Sequence, residues 1–276
     1  MSISRKADIS VIILTKNEEE RITRCIDSAR FADEIVVVDS GSTDRTCDLA
    51  HELGARVVNN PWPEDFSVQR NFADPRAKHS WILHLDADEQ VSRELAEEIL
   101  DFLEGEEREG YAAGRMPRKE LIFGRWIEHG GWYPQHKLRL YRKGSGTWRG
   151  RVHERFEPEG EVKTFKHPLL HDSYESVQVF LEKFNHYSTM DADEEIGKGG
   201  KFSLIKLFLV PLERFFGRYV RHRGYRDGMH GFVLAALIGL NYFIRYLKVW
   251  EKEFRLKNAG NARRERGGQP PGRTDG

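Results

Sequence analysis

The first hundred residues alternate short apolar runs, rich in β-branched residues, with segments of helical periodicity. These runs are residues 9–14, 35–38, 55–58 and 81–85, in which Ser10, Arg56 and His84 are the polar exceptions. Each run has the length and composition of a buried parallel strand. Strands that alternate with helices through short connections predict βαβ units and a parallel sheet. The chain is therefore predicted to open with an α/β fold.

The segments between the runs carry helix signals. In residues 18–29, Ile22, Cys25 and Ile26 fall on one face at the 3.6-residue period. Further helices are predicted at 46–53, 66–72 and 92–103. Gly54 follows the second helix in a position typical of a C-terminal cap, and Ser92 opens the fourth.

A polar cluster follows three of the four predicted strands. The clusters are residues 15–18, 39–44 and 86–89. In open α/β sheets the ligand lies beyond the carboxyl ends of the strands. The three clusters are therefore expected to form one ligand site.

Asp86-Ala87-Asp88 places two carboxylates directly after a predicted strand. Hard divalent cations such as Mg²⁺ and Mn²⁺ bind oxygen ligands, often one or two carboxylates plus substrate phosphates. Such a cation neutralises charge on a diphosphate leaving group. A helix cap is the alternative role for this short motif. Its position after the fourth strand favours the metal site.

Two further segments provide candidates for nucleotide binding. Asp39 ends a predicted strand, where its carboxylate can accept from a nucleobase or ribose, while Ser42 can instead cap a helix. Arg70, in Gln69-Arg70-Asn71, can reach a donor phosphate or base, or lie on the surface. The sequence contains neither GxGxxG nor GxxxxGK[ST], so it supports neither a dinucleotide fold nor a P-loop.

Over residues 8–100 the chain resembles the family 2 glycosyltransferases with the GT-A fold. The matching segments are ISVIILTKNEEE, EIVVVDSGSTDRT, QRN and WILHLDADE. The resemblance implies a Rossmann-like, mostly parallel sheet with flanking helices, and a divalent cation, Mg²⁺ or Mn²⁺, held by Asp88. The expected donor-binding residues are Thr15, Asn17, Glu18, Asp39, Ser42, Arg70 and Asp86.

The middle of the chain resembles the bacterial lipopolysaccharide-core β-glucosyltransferase group, up to about residue 257. The segments that carry this resemblance are HGGWYPQHKLRLYRK, WRGRVHERF, HPLLHDSYES, LEKFNHYSTMDA and GYRDGMHGFVLA. The group implies inverting transfer of glucose or a related hexose from a nucleotide sugar, with a preference for UDP. The implied acceptor is a lipid-linked saccharide, such as a heptose-containing lipopolysaccharide core.

Direct displacement at the anomeric carbon needs a base for the proton of the acceptor hydroxyl. Glu154 is the first candidate, and the neighbouring His153 is expected to ligate the metal or contact the diphosphate. A surface His-Glu pair is the alternative, and Asp172 is the second candidate base. Arg139 and Arg142 lie on a predicted strand, where they either contact phosphate or face solvent.

Three parts of the chain are predicted: a catalytic domain at 1–174, a helical region at 175–257 and a disordered tail at 258–276. Residues 201–276 carry 16 Lys/Arg against 6 Asp/Glu, whereas the first 200 residues carry 28 against 38. Apolar residues between 202 and 215 lie among Lys206, Arg214 and Arg218, as in an interfacial amphipathic helix. Basic residues beside such a helix favour anionic lipid. A basic solvated tail is the alternative.

The uncharged run 228–244 falls just short of the roughly 18 residues expected of a spanning helix. Peripheral attachment to the inner face of the cytoplasmic membrane is therefore expected, and a helix packed on the catalytic domain is the alternative. Two cysteines without a CxxC spacing, and an N-terminus without a signal-peptide pattern, favour the reducing cytoplasm. A net charge of zero favours no nucleic-acid partner.

Three other functions remain open from the sequence. A sugar transferase acting on a polyprenyl phosphate would need no strong base. A nucleotidyltransferase would share the α/β sheet and carboxylate-bound Mg²⁺, but Thr15-Lys16-Asn17-Glu18 is not its usual Gly-rich phosphate loop. A non-catalytic binding module on the membrane is the third, and the intact pair Asp86 and Asp88 disfavours it.

Overall fold

A computed structural model describes residues 7–150 and 154–267, with side chains described up to residue 258. The chain forms two compact units. The first comprises the chain up to Glu128 together with Trp132–Ser173, and the second comprises His129–Gly131 together with the chain from Tyr174 onward.

The first unit is a mixed α/β structure. Its described strands are β1 (Ala7–Thr15), β2 (Ala32–Asp39), β3 (Arg56–Asn59), β4 (Trp81–Asp86), β5 (Glu89–Val91), β6 (Ala113–Ile122), β7 (Arg125–Ile127), β8 (Gln135–Arg142), β9 (Gly146–Arg149), β10 (Arg155–Pro158), β11 (Val162–Thr164) and β12 (Leu169–Tyr174). Its described α-helices are α1 (Ile22–Ser28), α2 (Thr46–Glu52), α3 (Phe66–Ala73) and α4 (Arg93–Glu104).

The main sheet has the strand order β3-β2-β1-β4-β8-β6-β12-β5 among the described residues, and β7 and β11 also pair with β6. The strands from β3 to β4 are parallel. Their carboxyl ends are level, because Thr15 lies opposite Asp39, Leu14 opposite Asp86 and Asp39 opposite Asn59. The register therefore brings the ends of all four strands to one edge.

The parallel strands are held in place by apolar packing on both faces. Ile9, Val11 and Ile13 point to one face of β1, where they join a core that includes residues of α1 and α4. Ile12 and Leu14 point to the other face and pack with Val36 and Val38 of β2. Burial on both faces explains why these strands are continuous apolar runs in the sequence.

The structure confirms the predicted α/β fold class, with a parallel sheet, flanking helices and a C-terminal helical part. The four predicted strands and the helices between them are present. β8 extends the sheet beyond β4 in the antiparallel direction, and β6 pairs antiparallel with β8. β12 pairs antiparallel with β5, whereas the short strand β11 runs parallel to β6.

The second unit is helical. It contains α5 (Val177–Gly197), α6 (Leu204–Phe216) and α7 (Gly228–Gly267), with a π-helical turn at Gly217–Arg221. Ser176 and Ser203 cap α5 and α6, since their side chains accept from backbone N–H groups of the first turn. Both α5 and α6 pack against α7.

Two helices of this unit continue where the sequence predicts a break. The charged, Gly-containing segment from residue 191 predicts a break, but α5 continues to Gly197, because Arg245 and Lys252 of α7 pair with Glu195 and Asp193 in its last turns. Pro211 predicts an interruption, but α6 continues through this residue to Phe216.

α7 extends about ten residues beyond the expected end near 257. The turns before residue 258 contain the i,i+4 ion pairs Glu251–Arg255 and Glu253–Lys257, which stabilise the helix up to that point. By length and composition, one stretch within the described residues, Gly224–Asn258, is sufficiently long and apolar to cross a membrane. The predicted division of the chain into three domains stays a prediction.

Candidate active site

The turn after β2 is shaped by the carboxylate of Asp39. Its Oδ2 accepts from the backbone N–H groups of Gly41 and Ser42, at 2.9 Å each, and its Oδ1 accepts from the Ser42 hydroxyl. Gly41 has a φ of +95°, a conformation that residues with a Cβ rarely adopt. Asp39 and Ser42, both predicted to bind donor, thus form one rigid turn at the end of β2.

The loop after β1 is tied to the same turn. Asn17, with a φ of +54°, accepts from Thr43 N–H through Oδ1 at 2.8 Å and donates its own N–H to Ser42 Oγ at 2.9 Å. The N–H of Glu18 donates to Thr46 Oγ1 at 2.8 Å. Thr15, at the end of β1, is buried, and its hydroxyl oxygen has no hydrogen-bond partner among the described residues. Hydrogen bonds therefore join the first two polar clusters, which follow β1 and β2, into one connected pair of loops.

Three consecutive side chains of helix α3 donate hydrogen bonds to three different parts of the first unit. Gln69 Nε2 donates to Ser40 Oγ at 3.0 Å. Arg70 Nη2 donates to Asp86 Oδ1 at 2.7 Å. Asn71 Nδ2 donates to the carbonyl oxygen of β9 Trp148 at 2.9 Å. The QRN segment therefore links the ends of the parallel strands to β9.

Arg70 is completely enclosed, with 1% of its surface exposed. Its Nη1 donates to His84 Nδ1 at 3.3 Å, and its guanidinium lies 4.7 Å from the ring centroid of Trp148. Burial lowers the pKa of His84, although Asp74 opposes the shift, so the ring is neutral and its Nε2–H donates to Asp74. Arg70 is thereby fixed beneath the site as a donor to carboxylates.

Asp86 lies between two arginines. Arg70 donates to its Oδ1, and Arg139 Nη2 of β8 donates to its Oδ2 at 2.5 Å. Burial alone would raise the pKa of Asp86, but Arg139 and Arg70 hold it well below its usual range. The carboxylate therefore remains ionised and has a fixed orientation.

Alternating charges continue from Arg139 across the antiparallel part of the sheet. Arg139 also donates to Glu89 Oε1 at 2.8 Å, and Arg118 of β6 lies 3.4 Å from the same oxygen. Arg118 Nε then donates to Glu120 Oε1 at 2.9 Å. With its ends included, this charge chain consists of Glu154, Arg70, Asp86, Arg139, Glu89, Arg118, Glu120, His171 and Asp88.

His171 lies between Glu120 and Asp88, the last carboxylate of the charge chain. Its Nδ1 faces Glu120 Oε2 at 2.5 Å, and its Nε2 faces Asp88 Oδ2 at 3.2 Å. Burial would lower the pKa of His171, but Asp88 and Glu120 outweigh it and raise the pKa to about 9. Burial would likewise raise the pKa of Glu120, yet His171 and Arg118 lower it to about 2. The imidazolium thus joins two carboxylates at neutral pH.

This arrangement predicts a pH-dependent stability in chelator-treated protein. The folded pKa of His171, about 9, lies above its ordinary value of 6.5. The stabilisation is therefore complete below about pH 6.5 and is lost as the pH rises through about 9. It amounts to about 3 kcal/mol. Urea unfolding of the wild type should show this decline, and His171→Gln should lack most of it. A wild-type free energy of unfolding that stays level over this range would contradict the assignment.

Glu154, which comes immediately before β10, reaches the same cluster. Its Oε1 accepts from Arg70 Nε at 3.1 Å and from Arg70 Nη2 at 3.0 Å. Arg70 therefore joins Glu154 to Asp86, although 84 residues separate it from Glu154. His153, the other predicted metal ligand, lies outside the described residues.

Asp172 lies beside Asp88. Its backbone N–H donates to the Asp88 carbonyl oxygen at 2.9 Å, and its carboxylate pairs with Arg24 at 3.1 Å. The structure thus places each candidate base beside a different residue of the Asp86-Ala87-Asp88 motif: Glu154 near Asp86, through Arg70, and Asp172 near Asp88.

Asp88 suits a cation that takes most of its ligands from substrate and water. Its side chain is 21% exposed and offers hard carboxylate oxygen. Within residues 7–150 and 154–258, whose side chains the structure describes, there is no group of three or more His, Cys, Asp or Glu side chains that could hold a metal ion. Mg²⁺ and Mn²⁺ fit such a site, because they often bind through one or two carboxylates plus phosphates.

Sequence reasoning missed the interior of the charge chain. Arg139 was expected either to contact phosphate or to face solvent, but it is buried between Asp86 and Glu89. Glu89 was expected only as a member of the polar cluster at residues 86–89, and Arg118 and Glu120 were not considered. The available signal was charge at alternate positions of one strand, as in Arg118 and Glu120, which places both side chains on one face.

The family model for glycosyl transferase family 2 matches residues 10–155, more than half of the chain. The chain belongs to glycosyl transferase family 2. This membership makes it a glycosyltransferase and disfavours both the nucleotidyltransferase and the non-catalytic module.

Similar proteins agree with the family. An uncharacterized glycosyltransferase of Rickettsia conorii is 31% identical, over 94% of this chain and 95% of the relative. The lipopolysaccharide core biosynthesis glycosyltransferase LpsC of Rhizobium meliloti is 29% identical, over 90% of this chain and 93% of that protein. Among solved structures, glucosyl-3-phosphoglycerate synthase of Mycobacterium tuberculosis is 27% identical with a TM-score of 0.34. The match covers 41% of this chain and 44% of that one.

Proposed function

We propose that this family 2 glycosyltransferase transfers a hexose, glucose, from a UDP-linked donor to a hydroxyl of a lipid-linked saccharide, with inversion. The observation that carries the proposal is the cluster at the edge of the sheet, where Arg70 holds Asp86 and Glu154 together. The similarity to LpsC, a lipopolysaccharide core biosynthesis enzyme by name, supports a saccharide acceptor of this kind.

The nucleoside part of the donor is proposed to bind at the joined loops after β1 and β2. Asp39 and Ser42 hold that turn rigid, and Asn17 fixes the neighbouring loop. Asp86 lies at the ribose and diphosphate, with its ionised carboxylate oriented by Arg70 and Arg139. Preorganised groups of this kind cost no reorganisation during the reaction.

Asp88 would hold the divalent cation, with His153 as the second candidate ligand. When bound, the cation neutralises charge on the departing diphosphate. Asp88 is positioned for this role by the backbone of Asp172 and by His171.

Glu154 is proposed as the base. Its carboxylate takes the proton of the acceptor hydroxyl, the hydroxyl oxygen bonds to the anomeric carbon, and the bond from that carbon to the diphosphate oxygen breaks. UDP leaves with the electron pair, and the single displacement inverts the anomeric centre. Arg70 keeps the Glu154 carboxylate in place through Oε1. Asp172 is the second candidate base.

The location follows from the acceptor. A saccharide carried by a lipid is presented at a membrane surface, so we propose a cytoplasmic enzyme attached peripherally to the inner face of the cytoplasmic membrane. The excess of Lys and Arg after residue 200 fits an anionic surface of this kind.

Calorimetry tests the donor site directly. UDP and UDP-glucose are expected to bind wild type more tightly with Mn²⁺ than without it. In Asp88→Ala this Mn²⁺ effect should be lost, with affinity falling about 10- to 100-fold. Asp27→Ala, which removes an exposed carboxylate on α1, is the matched control and should bind as wild type. Absence of any nucleotide binding by folded wild type would refute the proposed donor.

A further inference from the structure

Helix α6 has an inner face that packs on α7. Leu207 is buried, and Pro211 approaches Gly239 of α7 so closely that a Cβ at Gly239 would lie 3.0 Å from the Pro211 carbonyl oxygen. This contact fixes the rotation of α6 about its axis and decides which of its side chains point away from the unit.

The outer face of α6 is large and apolar. It consists of Leu204, Ile205, Phe208, Leu209, Leu212 and Phe216, and each of these residues is 54–70% exposed. At about 100° per residue the six fall within an arc of about 140°. Contiguous exposed apolar surface of this kind marks an interaction site.

Positive charge surrounds this face. Residues 201–228 contain seven Lys/Arg and two Asp/Glu, a net charge of +5. Lys201, Lys206, Arg221, Arg223 and Arg226 are all exposed. The partner of the outer face must therefore accept apolar side chains and carry negative charge at its boundary.

An anionic bilayer has both properties. Its acyl region accepts Leu, Ile and Phe side chains, and its headgroup phosphates attract Lys and Arg. A second copy of this chain on the same face would bring two clusters of net charge +5 together, which is unfavourable. The 13 residues of α6 span about 20 Å, which suits a helix lying in the interface rather than crossing the membrane.

α7 is long and apolar, but several of its polar side chains bind residues of α5 in the same unit. Lys248 Nζ donates to Asn185 Oδ1 and Thr189 Oγ1, each at 2.7 Å, and Arg245 pairs with Glu195 at 2.6 Å. These contacts with α5 favour α7 as a helix packed within its unit rather than one that spans a membrane.

We propose that the outer face of α6 inserts into the headgroup boundary of an anionic bilayer, with the surrounding Lys and Arg on lipid phosphates. This inference rests on the membrane attachment included in the proposed function and names the surface responsible. It is independent of donor chemistry in the first unit.

Sedimentation with phosphatidylglycerol vesicles tests the surface. Full-length wild type is expected to bind them, to bind phosphatidylcholine vesicles weakly, and to dissociate partly at high salt. Phe208→Glu/Leu212→Glu should reduce the affinity for phosphatidylglycerol vesicles at least about tenfold. Leu256→Glu is the matched control, because Leu256 is 61% exposed on α7, and it should bind as wild type.

Thermal unfolding and UDP-glucose binding are measured on the same variants and should match wild type, so loss of vesicle binding cannot be attributed to misfolding. Vesicle binding by the double variant equal to wild type, or no binding by wild type, would overturn the proposal. So would a wild-type dimer in solution that the double variant converts to monomer, since the outer face would then bind a second copy. Failure of UDP-glucose binding in wild type would count against the proposed reaction alone.

Discussion

Glu154→Gln is expected to turn over about 10²- to 10⁴-fold more slowly than wild type while binding UDP-glucose with unchanged affinity. Glutamine retains the shape of the side chain and an oxygen that can accept from Arg70. It cannot take the proton of the acceptor hydroxyl. The measurement is kcat for sugar transfer, with the donor Kd determined by calorimetry on the same preparations.

Two further variants make this result specific. Glu157→Gln changes an exposed carboxylate on β10 and should keep wild-type kcat. Asp172→Asn should lower kcat far less than Glu154→Gln. The reverse order, with Asp172→Asn nearly inactive and Glu154→Gln active, would transfer the role of base to Asp172.

Arg139→Met is expected to lower the free energy of unfolding by about 3–5 kcal/mol. The substitution leaves Asp86 and Glu89 without the cation that joins them, and Glu89 is completely buried. Loss of one partner from a buried ion pair is costly because the remaining charge stays desolvated. Urea unfolding at neutral pH measures the change.

Arg142→Met on the same strand is the matched control. Arg142 is 36% exposed and pairs with the exposed Glu109, so its loss should cost less than about 1 kcal/mol. Arg139→Lys should recover part of the stability, because it restores the charge but not the planar guanidinium whose Nη2 reaches both carboxylates. Equal destabilisation by Arg139→Met and Arg142→Met would show that Arg139 does not hold the cluster.

The parallel half of the sheet could be predicted because its signals are local. The run from Ile9 to Leu14 is apolar except for Ser10, as expected for a strand buried on both faces, and Gly54 closely follows the end of its helix. The resemblance added roles for Asp86 and Asp88 that no local pattern supplies. The position of the ligand site, at the sheet edge where the polar clusters meet, could be predicted from the order of strands and helices alone.

The partners within the site could not be predicted in the same way. Arg139 meets Asp86 across 53 residues, and Arg70 meets Glu154 across 84. These contacts depend on the antiparallel neighbours β8 and β6, whose register no local periodicity reports. The end of α7 differs for another reason. The Gly-, Arg- and Pro-rich composition after residue 257 predicts disorder, whereas the described helix continues to Gly267.

The charge chain constrains how the site can change through mutation. Three residues of the charge chain each form ion pairs with two oppositely charged neighbours: Arg118, Arg139 and Glu89. A single substitution at any of them therefore disturbs two ion pairs. A substitution in the charge chain is therefore tolerated only together with a compensating substitution at its partner, and such double substitutions are rare among random mutations. The turn at Asp39 and Ser42 is held by bonds within a few residues and can vary independently. New donor preferences are therefore more accessible at that turn than along the chain of charges.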